Sequence, residues 1–293
     1  MVEASGAIVA ISSHVARGAV GNRAMVFALE RLGFTVWSVP TVILPHHPGH
    51  GRAERIVLDP DRFAATLGAL IEGGRATGVA GIISGYLGSA GQVEAVARFV
   101  EAVKEARPDC LYLCDPVIGD AGALYVGAPM AELVRDGLLP LADAATPNAF
   151  ECAWLAAADH IADPDLGLSA TMLPPAVVLV TSAPALLRGN IGNLLVEEDG
   201  SWLFEHPALP NAAKGTGDLL SALLLARRLQ GSAWPEASRL ALSSVFEIAS
   251  ATAEAGADEL LLGRYQDALV APRSPVGLRR VGGHDSSAHR PAQ

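Results

Sequence analysis

Cysteine is scarce in this chain. Cys110, Cys114 and Cys152 are the three among 293 residues, and no two of them make a C-x-x-C pair. That sets aside a disulfide framework and a thiolate zinc site, and leaves three small core thiols. Basic charge is also short: 21 Lys and Arg stand against 31 Asp and Glu, for a formal net charge of −10. With no basic stripe to follow a phosphate backbone, nucleic acid is set aside as a partner. An anionic ligand must then be held by backbone N–H groups or through a bound cation. Long apolar runs are missing too. The longest, such as LLSALLLA from Leu219, fall far short of a membrane span, which needs roughly 20 residues. The first residues lack the basic segment that opens a signal peptide, so the expectation is a soluble, cytoplasmic protein with no membrane partner.

What is abundant is apolar residues, 51% of the chain, enough for a large core. They fall in short β-branched runs that alternate with helical patterns. Strands are predicted over 6–12, 34–40, 79–85, 110–116, 142–148 and 176–182. Helices are predicted over 21–33, 61–74, 91–106, 129–137 and 149–158, the first with Asn22 as N-cap and Gly33 beyond its end. NLLVEED and SWLFEHP, split by Gly200, predict an antiparallel hairpin, and two or three helices follow over 218–265. Such alternation predicts an α/β fold with a mostly parallel central sheet, helices on both faces and an antiparallel edge. Neither an internal repeat nor a linker divides it, so residues 1–270 read as one domain. The polar, Pro- and Gly-rich tail over 271–293 reads as disordered.

Chemistry gathers where the strands stop, the edge at which such sheets bind ligands. Ser13 follows the first strand and Tyr86 the third. Asp115 and Asp120 follow the fourth, Asn148 and Glu151 the fifth, Thr181 and Ser182 the sixth. Carboxylates and amides converging from several strands suit Mg²⁺ and phosphate, because Mg²⁺ takes one or two carboxylates together with substrate oxygens. Each group also has a plain structural use. Asp115-Pro116 can end a strand, and Asn148 can cap a helix with Glu151 completing a capping box. His46, His47 and His50 share a Pro/Gly loop without an acidic or thiol neighbour in sequence, so substrate contact suits them better than metal ligation.

The turn Gly215-Thr216-Gly217-Asp218 opens onto an apolar helix pattern. The N–H groups there have no intrahelical acceptors, the helix dipole adds positive charge, and glycines let an anion come close. Asp218 beside them can take a proton from a hydroxyl while the amides hold developing charge. The Walker spacing G-x-x-x-x-G-K-[ST] is absent. A simple helix entry with a close-packed glycine remains the competing explanation.

In their order, the motifs AISSHVARGAVGNRAMVFALERLGFTVWSVPTV, SGYLGS, YLCDPVIGD, LADAATPNAFE, VVLVTS and GTGDLLSALLL resemble the ribokinase-like superfamily and, within it, the pyridoxal kinases. The resemblance covers most of the chain. It implies a ribokinase-like three-layer sandwich that transfers a phosphoryl group from ATP to the 5′-hydroxymethyl group of pyridoxal, pyridoxine or pyridoxamine. It further implies Asp218 as catalytic base with Gly215, Thr216 and Gly217 as the anion hole. Asp115, Asp120, Asn148 and Glu151 would organise Mg²⁺ and the phosphates, with Asp115 and Glu151 nearest the metal and Thr181 and Ser182 near the nucleotide. Ser13 and Tyr86 would line the acceptor pocket, with Leu44 and His47 in its covering loop. A homodimer and a monovalent cation such as K⁺ are implied as well.

Two positions depart from the family pattern. His46-His47-Pro48 replaces the usual Asn-His-Thr, which removes a hydroxyl that would contact the pyridine ring, and Lys214 stands where an apolar residue is common. Two other functions stay open: phosphorylation of a related hydroxymethyl compound such as hydroxymethylpyrimidine, and non-catalytic binding of a B6 vitamer.

Overall fold

The computed structural model describes residues 6–157, 165–210 and 212–282. The chain begins with β1 (Ala7–Val15), α1 (Asn22–Arg31), β2 (Thr35–Leu44), β3 (Ile56–Val57), α2 (Pro60–Ile71) and β4 (Val79–Ser84). Next come α3 (Ala90–Ala106), β5 (Leu111–Cys114), the small ribbon β6 (Gly119–Asp120) and β7 (Ala123–Leu124), and α4 (Ala128–Leu133). β8 (Ala144–Ala145), α5 (Ala149–Leu155), α6 (Leu166–Met172) and β9 (Val177–Ala183) follow. The chain then forms β10 (Asn190–Glu197), β11 (Gly200–Pro207), α7 (Thr216–Leu229), α8 (Trp234–Glu254), α9 (Asp267–Val270) and β12 (Gly277–Gly282).

The main sheet has the order β12-β11-β10-β9-β8-β5-β4-β1-β2-β3. From β9 through β2 the neighbours are parallel, while β10, β11, β12 and β3 pair antiparallel at the two edges. Each residue of a parallel strand turns to one face or the other, so a strand covered on both faces is apolar throughout. β1 shows this directly. Val9 and Ile11 join Phe63, Phe99 and Leu155 beneath α2, α3 and α5, whereas Ile8 and Ala10 join Met25, Leu223 and Ile248 beneath α1, α7 and α8. These are the two faces of a three-layer sandwich. From Leu219 through Arg227 every residue of α7 is buried, as expected of a helix held between sheet and neighbouring helices. After β1 the chain moves to β2 on one side and returns to β4 on the other, which opens the crevice at the strands' carboxyl ends.

Several boundaries differ from expectation for identifiable reasons. Gly21, not Asn22, caps α1, because the backbone there has φ 56° and a Cβ would strike Ser13. Asn22 is buried in the first turn instead and donates to the Val39 carbonyl at 3.0 Å. β8 is only two residues long: the Tyr112 amide is taken by the Asp143 carboxylate at 2.7 Å. Ser13, Thr181 and Ser182 lie within their strands, not beyond them. The tail expected to be disordered contains β12, which pairs with β11 and sets Arg280 over the Trp202 ring. An edge strand needs only backbone partners on one side, so a polar sequence satisfies it; residues 283–293 lie outside the described set. The three cysteines are buried and free, and burial pushes each thiol up to about 12. No helix among the described residues is long and apolar enough to cross a membrane.

Leu223 is fully buried between layers, while Leu278 on β12 is 48% exposed. Leu223→Ala should therefore lower the unfolding free energy by about 2–5 kcal/mol. Leu278→Ala should change it by less than about 0.5 kcal/mol. Denaturant titration of both variants checks the assignment of core and edge.

Candidate active site

The start of α7 lies at the strands' carboxyl edge, held there by close backbone contact. Gly215 is the N-cap at φ 97°, and a Cβ on it would collide with the Ala19 carbonyl. Glycine alone meets both demands. Gly217 differs: its φ is helical and nothing lies within 4 Å of the place a Cβ would occupy. The first helical hydrogen bond runs from Leu219 N–H to the Gly215 carbonyl at 3.0 Å, so the amides of 216–218 have no helical acceptor. The last of them belongs to Asp218, whose carboxylate is partly exposed. Burial pushes the Asp218 pKa up to about 6, while the Gly21 amide favours its charged form.

Two more carboxylates share the crevice. Asp115, directly after β5, is raised well above its ordinary range, first by burial and then by the charges of Glu151 and Asp218. Ser221 Oγ lies 3.1 Å from Asp115 Oδ2 and 2.8 Å from Thr146 Oγ1, joining the ends of β5 and β8 to α7. Asn148 and Glu151 form the full capping box of α5. Glu151 also accepts the Ile118 and Gly119 amides on Oε1, at 2.8 and 3.2 Å, and burial pushes its pKa to about 7. Its structural use is therefore present whatever else it does. The segment it holds is strained, since Val117 has φ 44°, an outlier for a β-branched residue. Asp120 is exposed on β6 with Oδ1 turned to the Ala121 amide. Thr181 pairs with Asn148 across an isolated bridge, and Ser182 has a left-handed backbone at φ 54°.

The residues expected on the acceptor side form a second group. Leu44 ends β2 as a buried residue and is not in the covering loop; with Val15, Val20 and Val42 it makes a small apolar cluster against which Tyr86 packs. Arg55 donates to the Tyr86 hydroxyl at 2.5 Å. Ser13 touches Gly21, the residue whose amide meets Asp218, and so connects the two groups. In the covering loop, burial followed by Lys214 and His50 holds the His47 pKa below its ordinary value. The ring is then neutral near pH 7, and its Nδ1 accepts the Gly49 amide at 2.9 Å, which places the ring proton on Nε2.

Known proteins resemble this chain along most of its length. A family model described as phosphomethylpyrimidine kinase matches residues 17–261. Pyridoxal kinase PdxY of Leifsonia xyli is 35% identical over 281 residues, which span 94% of this chain and 99% of that protein. The Rubrobacter xylanophilus protein of the same name is 37% identical over 286 residues, with 94% and 97% covered. The chain belongs to the pyridoxal kinase family. Among solved structures, pyridoxal kinase from Leishmania donovani in complex with ADP and pyridoxamine superposes with a TM-score of 0.85 at 28% identity, over 94% of this chain and 99% of that one. As a pyridoxal kinase family member the chain has the ribokinase-like sandwich.

Sequence patterns did not single out Gly21, Thr146 or Ser221. Ser221 carried the clearest signal, three residues after Asp218 on one helix face. Gly21 and Thr146 are brought in by tertiary contact alone.

The Asp218 shift has a stability consequence with a definite sign. Its carboxyl protonates at about 6 in the fold against 3.8 ordinarily, so its charge disfavours the folded state above pH 6 and ceases to matter as pH falls toward 3.8. Ligand-free Asp218→Asn should gain about 1–3 kcal/mol at pH 7.5 and little at pH 4. A gain independent of pH, read by thermal unfolding, would place its cause in packing.

Proposed function

We propose that this protein phosphorylates the 5′-hydroxymethyl group of a B6 vitamer with ATP, and that Asp218 is its general base. The observation that carries the chemistry is the juxtaposition at α7: three N–H groups without helical acceptors, an open approach over Gly217, and a carboxylate poised near pH 6. Asp218 takes the hydroxyl proton, and the 216–218 amides hold the charge that gathers on the transferring phosphoryl. Gly215 sets the turn, and Thr216 contributes its amide. Ser13, Leu44, His47 and Tyr86 hold the acceptor ring, while Asp120, Asn148, Thr181 and Ser182 border the nucleotide phosphates.

The carboxylate cluster fits Mg²⁺. Asp115 is pressed toward its protonated form by burial and then by Glu151 and Asp218, a repulsion that a divalent cation relieves. Among the described residues no three His, Cys, Asp or Glu side chains form an all-protein metal cage, which suits an ion held by one or two carboxylates and substrate oxygens. Asp115 and Glu151 are the residues to hold it, and when bound it neutralises charge on the phosphates. K⁺ and a homodimeric assembly belong to the same reading and rest on the family resemblance.

A second acceptor, hydroxymethylpyrimidine, is favoured by Pro48. The missing Thr hydroxyl leaves a ring partner unpaired, at a cost of about 1–3 kcal/mol. Asp218 weighs against it, because that branch can use Cys after Gly-Thr-Gly.

Asp218→Ala should fold and lose roughly 10²–10⁴-fold in kcat. Near-wild-type turnover would remove Asp218 from the base's role. Gly217→Ala should keep full stability, since its methyl meets no protein atom, yet lose activity by crowding the anion. The kcat/KM profile should fall as pH drops through about 6, as the base gains its proton. A limb near 3.8, the ordinary carboxylate position, would place the titrating group elsewhere.

A further inference from the structure

The covering segment over 45–51 is tied down at both ends. At its start the Ala16 and Arg17 amides donate to the Leu44 and Pro45 carbonyls at 2.8 and 2.9 Å. At its end His50 Nε2 lies 2.9 Å from Glu259 Oε1, with side chains 23% and 14% exposed, and His50 Nδ1 lies 3.9 Å from Asp258 Oδ2. Asp258 is paired in turn with Arg17 at 2.5 Å. Glu259 is enclosed. A Cβ on Gly18 would strike its carboxyl group, and its backbone bridges to Lys214, the residue before Gly215.

Both Glu259 oxygens are shielded from solvent, and no described residue makes a hydrogen bond of good geometry to either. A carboxylate in that setting is costly unless a cationic or N–H-bearing partner stands against it. Among the described residues His50 is the one basic side chain within ion-pair distance. His47 and His50 are mechanically linked: the His50 backbone N–H donates to the His47 carbonyl at 3.0 Å, and His47 caps the short turn that carries His50.

We infer that His50 and Glu259 form a clasp that sets the covering segment in register with the Lys214–Asp218 turn, so that both act as positioning residues for the acceptor pocket. The contact that closes the pocket is thus made outside it, by a side chain from the loop and one from the segment after α8. The catalytic consequence rests on the kinase reading; the clasp itself does not.

Limited trypsin digestion and steady-state kinetics on the full chain test it. Arg52 and Arg55 are exposed just beyond the clasp and report its opening. His50→Ala and Glu259→Gln should each speed cleavage there about fivefold and raise KM for pyridoxal about tenfold, with kcat changed less than about twofold. The double variant should match the single ones, because a broken pair cannot be broken twice. His50→Gln, which keeps an N–H toward Glu259, should restore most of the protection. Unchanged cleavage and KM in the single variants, or effects that multiply in the double variant, would overturn the clasp. If Glu259→Gln does not fold, His50→Ala against His50→Gln still decides the matter: equal cleavage of these two and the wild type overturns it. Digestion needs no substrate. A protein inert toward every B6 vitamer would therefore defeat the kinase reading, while the cleavage pattern judged the clasp separately.

Discussion

Crowded negative charge at the head of α7 is the constraint on which the rest of this structure depends. In a crevice of low polarity, burial raises the proton affinity of Asp115, Glu151 and Asp218 alike, and the charges of Glu151 and Asp218 raise that of Asp115 further. Among the described residues none of the three forms an ion pair with a basic side chain. Such a cluster is unfavourable for stability and useful for chemistry, since burial leaves Asp218 a base near neutrality and the like charges around Asp115 leave an unfilled demand for positive charge. The Gly21 amide meets part of that demand at Asp218, and the proposed Mg²⁺ would meet the remainder.

The surrounding fold keeps the cluster from relaxing. Ser221 and Thr146 tie Asp115 to α7 and β8, and the Asn148–Glu151 capping box fixes the 118–119 amides. Gly21 brings the start of α1 against β1, and Gly215 brings the start of α7 against the segment between them, more closely than any side chain would allow. These contacts join layers on both faces of the sheet, so the two apolar cores, built around α3 and α7, bear the cost of holding like charges together.

Much of this was legible in the sequence because the governing patterns are local. Alternating apolar runs announced the parallel sheet, and GTGD announced a helix start beside a carboxylate. The capping box at Asn148 and Glu151 was readable from spacing, and the structure adds that Glu151 reaches back to another loop. What sequence could not carry is contact between distant segments: Gly21 against Ser13, Ser221 against Asp115, His50 against Glu259. β12 was misread for a related reason, since an edge strand draws its order from a partner's backbone more than from its own apolar content. The loop over 45–51 was the least legible part, because its seating depends on Glu259, more than 200 residues further along the chain.

The central claim is that the α7 turn transfers phosphate to a hydroxymethyl group on a B6 ring. Its most direct test is ATP consumption with pyridoxal, pyridoxine, pyridoxamine and hydroxymethylpyrimidine, each product's phosphate position being read by NMR. Turnover of at least one B6 vitamer, phosphorylated at the 5′ oxygen and faster than hydroxymethylpyrimidine, is the predicted result. No ATP consumption with any of them, alongside tight binding of pyridoxal phosphate, would contradict it.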